Sequence, residues 1–193
     1  MNTFVLEIPD SIGKIDDEKY LDLCKKNPES RIERSSKGEI IIMAPTGGET
    51  GRRNFELGIR FGEWNRKKKL GKFFDSSTAF KLPKGGIRSP DVGFVSNAKW
   101  NSISLEDKKK FPPLCPEFVL ELLSDSDSIE TSQKKMEEWM DNGCLLSWLI
   151  DLDEKKIYIY RKNKPVETLL GLDHILSGED VLPEFTLDLK EIE

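Results

Sequence analysis

Glu121 lies inside Pro116-Glu117-Phe118-Val119-Leu120-Glu121-Leu122-Leu123-Ser124, an apolar run without polar alternation. Such a run reads as a strand covered on both faces, where an unpaired carboxylate costs several kcal/mol. Glu121 therefore needs a partner, and either a bound cation or an internal ion pair with Lys135 or an arginine would supply one. Asp91 stands at the mouth of a second short apolar strand, in Ser89-Pro90-Asp91-Val92-Gly93-Phe94-Val95. Magnesium takes hard oxygen ligands and usually keeps waters, so two carboxylates on neighbouring strands suffice when a phosphate adds further oxygens. Such an ion would lower the pKa of a bound water and stabilise charge growing on a phosphoryl oxygen. Lys135, one helix after Glu121, would orient that water or neutralise that charge. The competing reading makes Asp91 a strand-start acid after proline and Lys135 a surface lysine.

Three elements must position these groups. Ile129 to Asn142 carries an apolar stripe of Met136, Trp139 and Met140, with Asp127 and Glu130 at capping-box spacing before it and Gly143 as its stop. Leu145 to Asp151 is a second buried strand, so residues 117 to 151 predict a strand, helix and parallel strand with a right-handed crossover. A turn at Asp153-Glu154 then pairs that strand with residues 157 to 160.

Upstream, residues 16 to 26 predict a short surface helix stopped by Asn27-Pro28. Residues 31 to 34 and 39 to 43 predict a hairpin turning at Gly38, and Ala44 to Gly48 breaks its second strand. Residues 50 to 69 fit a helix through Leu57, Phe61 and Trp64, with Gly58 and Gly62 offering a smooth face for close packing. Phe73-Phe74 and residues 78 to 82 read as strands, and 97 to 116 as a connection with a short helix, anchored by Trp100 and Leu105. Leu182 to Phe185 suggests a strand and closing loop. Without repeats or low-complexity linkers, one domain is expected over residues 1–193, in three parts: an N-terminal helix and hairpin (1–48), a core (49–161) and a C-terminal extension (162–193).

Composition narrows the classes. A chain of 193 residues with 37% hydrophobic residues can build one sizeable core. No apolar run approaches the roughly 20 residues needed to span a bilayer, and the expected location is cytoplasmic. A net charge of −5 argues against coating nucleic acid by bulk electrostatics. Basic clusters at Arg52-Arg53, Arg66 to Lys69, Lys108 to Lys110 and Lys134-Lys135 read first as solvated surfaces, although a local phosphate-binding face is compatible with them. Three scattered cysteines suggest small hydrophobes rather than a zinc or redox centre. The single histidine, His174, excludes within one chain a mechanism needing a histidine base together with histidine ligands. A phosphate-cradling P-loop and a Gly-x-Ser-x-Gly elbow are both absent.

A set of motifs runs over nearly the whole chain: Gly38-Glu39-Ile40 with Met43-Ala44-Pro45-Thr46-Gly47, Ser89 to Ser96, Cys115 to Ser124, Gln133-Lys134-Lys135-Met136, Asn142-Gly143, Trp148 to Asp151 and Leu182 to Phe185. In this order they resemble the Uma-type restriction endonuclease family, a branch of the PD-(D/E)XK nuclease superfamily. The resemblance implies an α/β restriction-endonuclease-like core, a mixed sheet flanked by helices. It implies Asp91 and Glu121 as the two acids holding Mg²⁺ or Mn²⁺, and Lys135 as a lysine migrated from the position that Leu123 occupies. It also implies an auxiliary role for Glu49 and places Gln133 beside the lysine, while Thr50 replaces a histidine common in the family. The implied activity is metal-dependent endonucleolytic cleavage of nucleic acid, with DNA as the expected substrate and a homodimer suited to cutting both strands. Two other classes stay open: a catalytically silent nucleic-acid-binding or protein-interaction module on the same fold, and a metal-free hydrolase using the two carboxylates as acid and base.

Overall fold

The computed structural model describes every residue except 1–3, 7, 10, 14, 44, 125 and 126. Ala44, in the expected strand break, and Asp125 and Ser126, before the helix that carries Lys135, lie outside the described residues.

In chain order the elements are β1 (Phe4–Leu6), α1 (Asp17–Lys26), β2 (Arg31–Arg34), β3 (Ile40–Met43), α2 (Gly48–Lys68), β4 (Gly71–Asp75), β5 (Phe80–Lys81), β6 (Ile87–Arg88) and β7 (Val92–Ser96). There follow α3 (Asn97–Ser102), α4 (Leu105–Lys108), β8 (Phe118–Leu122), α5 (Ile129–Asp141), β9 (Leu146–Asp151), β10 (Lys156–Arg161), β11 (Glu167–Leu170), β12 (Ile175–Ser177) and β13 (Thr186–Asp188). A 3₁₀ turn, Leu189–Glu191, comes last.

The central sheet runs β11-β10-β9-β8-β7-β4. Only β8 and β9 pair in parallel, as the strand, helix and strand unit requires. The strand period of two decides which groups meet. Phe118, Leu120 and Leu122 of β8 pack with Leu57, Phe61 and Trp64 of α2, whereas Val119 and the adjoining Leu123 pack with Met136 and Trp139 of α5. Glu121 shares the α5 face, where it is 9% exposed.

A smaller sheet, β1-β3-β2-β6-β5, carries the predicted hairpin with Arg31 opposite Met43. Its strand β6 leads through Ser89-Pro90 into β7, so the two sheets join at Asp91. Gly93 permits that junction: a Cβ there would sit 2.9 Å from Pro90 Cγ.

Residues 162–193 are more than an appendage. Phe185 stacks on Phe61 with ring centroids 4.4 Å apart, and Leu182, Leu187, Leu189 and Ile192 are fully buried in the same core. Each such side chain contributes about 1.5–3 kcal/mol of burial.

Three local expectations need correction. Gly58 and Gly62 pack against nothing; the apolar stripe of α2 turns its opposite face inward and leaves the glycines in the open. Leu105 is 77% exposed and anchors nothing; Trp100, against Phe74, is joined in the core by Ile103 and Leu114 of the same segment. The capping box does not form: Ser128 is the N-cap of α5, and Asp127 instead accepts hydrogen bonds from Ser124 N and Oγ.

Candidate active site

Asp91 and Glu121 line one cleft of about 540 Å³, within the size range of ligand sites. The antiparallel register sets Val92 opposite Leu120, so one further step brings Asp91 beside Glu121. Leu122 N donates to Asp91 Oδ2 at 2.8 Å, and Asn54 Nδ2 of α2 lies 3.4 Å from Asp91 Oδ1.

Lys135 reaches this pair. Both Glu121 oxygens lie 2.9 Å from its Nζ, and it donates to Ser89 O at 2.8 Å. Trp139, one helical turn on, donates its indole N–H to Glu121 Oε1 at 3.0 Å. Of the two partners open to Glu121 at the outset, the ion pair with Lys135 is therefore present. Leu123, the position from which the resemblance implies that the lysine migrated, is buried against α5.

A residue that sequence reasoning passed over completes the cluster. Glu33, on β2, is buried at 1% exposure, and its Oε1 sits 3.2 Å from Lys135 Nζ. The same oxygen accepts from Ser89 N at 3.0 Å, and Oε2 accepts from Arg88 Nη1 at 2.9 Å. Arg88 Nε donates to Glu138 Oε2 at 2.8 Å, and Glu138 Oε1 accepts from Ser36 N at 2.7 Å. Thus the N-terminal hairpin enters the site, and β2, β6, β8 and α5 share one buried ionic network.

The electrostatics follow. Burial raises the Glu121 carboxyl to about 8, with Asp91 and Glu33 adding repulsion and Lys135 opposing. Burial also raises Asp91, against the pull of Leu122 N–H and Lys135. Burial acts the same way on Glu33, but Lys135, Arg88 and Ser89 N–H outweigh it and hold the carboxyl below its ordinary value. Burial alone would lower the Lys135 ammonium, yet Glu121 and Glu33 raise it. Four carboxylates, Glu33, Asp91, Glu121 and Glu138, thus face two cations, Arg88 and Lys135.

These groups suit a divalent cation. The donors are hard oxygens, the carboxylates are in excess of the cations, and Asn54 Oδ1 is a buried oxygen without a hydrogen-bond partner beside Asp91. Among the described residues no trio of His, Cys, Asp or Glu side chains forms a ready cage, so main-chain, amide, water or substrate oxygens must supply the remaining ligands.

The other candidates lie further out. Glu49 lines the cleft, but its side chain is 71% exposed and bound to Arg52 at 3.0 Å. Gln133 is not among the residues lining the cleft. Besides Arg88, two arginines line it: Arg31, which donates to Ser76 Oγ at 3.0 Å, and Arg53, whose Nη1 lies 3.8 Å from Asp153 Oδ1 and whose buried Nε makes no hydrogen bond among the described residues. His174 lies apart, with Nε2 2.9 Å from Leu170 O, and the three cysteines are free. Among the described residues no helix is long and apolar enough to cross a membrane.

Comparison with known proteins agrees with this fold. The crystal structure described as "a putative nuclease belonging to DUF820" from Anabaena variabilis superposes with a TM-score of 0.75 at 20% identity, covering 91% of this chain and 95% of that one. At that identity the likeness establishes the fold, a mixed sheet flanked by helices. No curated protein matches the chain. Residues 17–190 match the model of a family described as "Putative restriction endonuclease", and with that much of the chain inside the match, the protein belongs to the Uma2 family.

Proposed function

We propose that the protein is a metal-dependent endonuclease that hydrolyses phosphodiester bonds, with DNA as substrate and Asp91 and Glu121 as the ligands of Mg²⁺ or Mn²⁺. The observation that carries this reading is the meeting of Asp91, Glu121 and Lys135 in one cleft, with the buried Glu33 beside them. When bound, the metal would supply an activated water and charge stabilisation on the scissile phosphate.

The chain's own groups do the rest. Leu122 N–H fixes the Asp91 carboxylate in direction, and Trp139 N–H does so for Glu121. Lys135, flanked by carboxylates, stays an ammonium and so neutralises phosphoryl charge rather than removing a proton. Arg53 and Arg31, at the cleft wall, are placed to meet neighbouring phosphates and hold the strand in register. Cutting both strands of a duplex would require two such sites, as in a homodimer.

Nicking of supercoiled plasmid in Mg²⁺ tests the reading. Conversion to open circles that stops with chelator is expected. Plasmid binding that is indifferent to chelator, with no cleavage in either Mg²⁺ or Mn²⁺, would favour a silent binding module; chelator-resistant hydrolysis would favour a metal-free mechanism.

A further inference from the structure

We propose that Glu33, contributed by the N-terminal sheet, is the positioning residue of the site: it keeps the Lys135 ammonium seated against Ser89 O when Glu121 leaves it for a cation. The inference rests on the endonuclease reading above, and its test separates the two.

The geometry distinguishes the two carboxylates that share Lys135. Glu33 is fixed from three directions, by Lys135 Nζ, Ser89 N and Arg88 Nη1, and Arg88 is itself clamped by Glu138. Every one of these partners is protein, so Glu33 could swing to a ligand only by giving up one of them. Glu121 is held by two α5 side chains, Lys135 and Trp139, and lies beside Asp91. If both its oxygens turned to a cation, Lys135, whose side chain is 17% exposed, would lose one of two counter-charges, and without the other its ammonium would swing towards the cleft mouth. Glu33 supplies the second counter-charge at 3.2 Å, and Ser89 links the pair: its N–H donates to Glu33 while its carbonyl accepts from Lys135. Since Pro90 alone separates Ser89 from Asp91, the same link registers the ammonium against the first acid. Glu33 touches no reacting atom; it acts through Lys135.

The test reads the Lys135 ammonium directly by ¹H–¹⁵N NMR of lysine NH₃⁺ groups, with the signal assigned through Lys135→Ala. In metal-free protein above about pH 8, where Glu121 carries its charge, Glu121→Gln imitates the loss of that counter-charge. The Lys135 signal is expected to persist in Glu121→Gln and to vanish in Glu33→Gln/Glu121→Gln. In Mg²⁺, Glu33→Gln is expected to lower kcat for nicking by about 100-fold with KM unchanged, the size of effect a displaced catalytic group produces. Lys135→Ala added to Glu33→Gln should then cost nothing further. A persistent signal in the double variant, or a Glu33→Gln enzyme with wild-type kcat, would overturn the proposal. Should Glu33→Gln fail to fold, Glu33→Asp serves in its place, and wild-type kcat with an unshifted Lys135 signal there would overturn it equally. Wild-type protein that never nicks DNA defeats the endonuclease reading instead, while the metal-free spectra still decide what holds Lys135.

Discussion

Lys135 Nζ lies 2.9 Å from Glu121 and 3.2 Å from Glu33, so a single ammonium ties the central sheet to the N-terminal sheet. Removing it leaves two buried carboxylates facing each other. Lys135→Ala is therefore expected to cost about 3–5 kcal/mol in urea unfolding. Lys134→Ala, next to it on the exposed face of α5, should leave the midpoint where it is. Equal midpoints for the two variants would show that the buried network contributes little.

The raised Glu121 carboxyl sets a pH dependence whose sign can be worked out. Its folded value, about 8, lies above the ordinary 4.5, so the stability of the neutral form is complete below the ordinary value and is lost as pH rises through about 8. Without metal, thermal melts should move down between about pH 4.5 and pH 8. Protons and a divalent ion compete for the same oxygens, so Mn²⁺ affinity should climb over that interval. Titration calorimetry showing affinity flat with pH would contradict this.

The C-terminal segment contributes to the core that positions the site. Phe185→Ala should cost about 3–5 kcal/mol, because its ring fills space against Phe61, Trp64 and Trp148 that nothing else can occupy. Chemical denaturation checks it. A loss within the range of surface substitutions would mean that residues 162–193 dock only loosely.

Gly93→Ala examines the junction beside Asp91. The added methyl would meet Pro90 Cγ at 2.9 Å, and overpacking of this kind costs about 1–3 kcal/mol. A shift of Pro90 carries Asp91 with it, so nicking should slow by more than the stability loss alone explains at a temperature where the variant is folded. Full activity in the folded variant would show that the strand absorbs the methyl without moving the acid.

How far the site could be read in advance depended on whether the signal was local. Glu121 announced itself because an acid inside an unbroken apolar run has few explanations, and Asp91 because it opens the neighbouring strand. Glu33 gave no such sign. In Arg31-Ile32-Glu33-Arg34 it alternates with Ile32 and reads as the solvent side of a hairpin; Arg88 of β6, Ser89 after it and Lys135 of α5, all distant in sequence, hold it. The α2 glycines misled for a related reason. Small residues permit close packing but do not require it, and the larger Leu57, Phe61 and Trp64 decided which face turned inward. The Asp127 side chain had a nearer competitor in Ser124, which closed a turn before a cap could form.

The central claim, that Asp91 and Glu121 hold the ion that cuts DNA, is tested most directly by plasmid nicking with Asp91→Asn in Mg²⁺. This substitution keeps the side-chain shape and an oxygen able to accept from Leu122 N, while removing the charge. The account predicts a folded protein whose nicking rate drops by about 10³-fold or more, a loss of transition-state charge stabilisation. Nicking at the wild-type rate by a folded Asp91→Asn protein would contradict it.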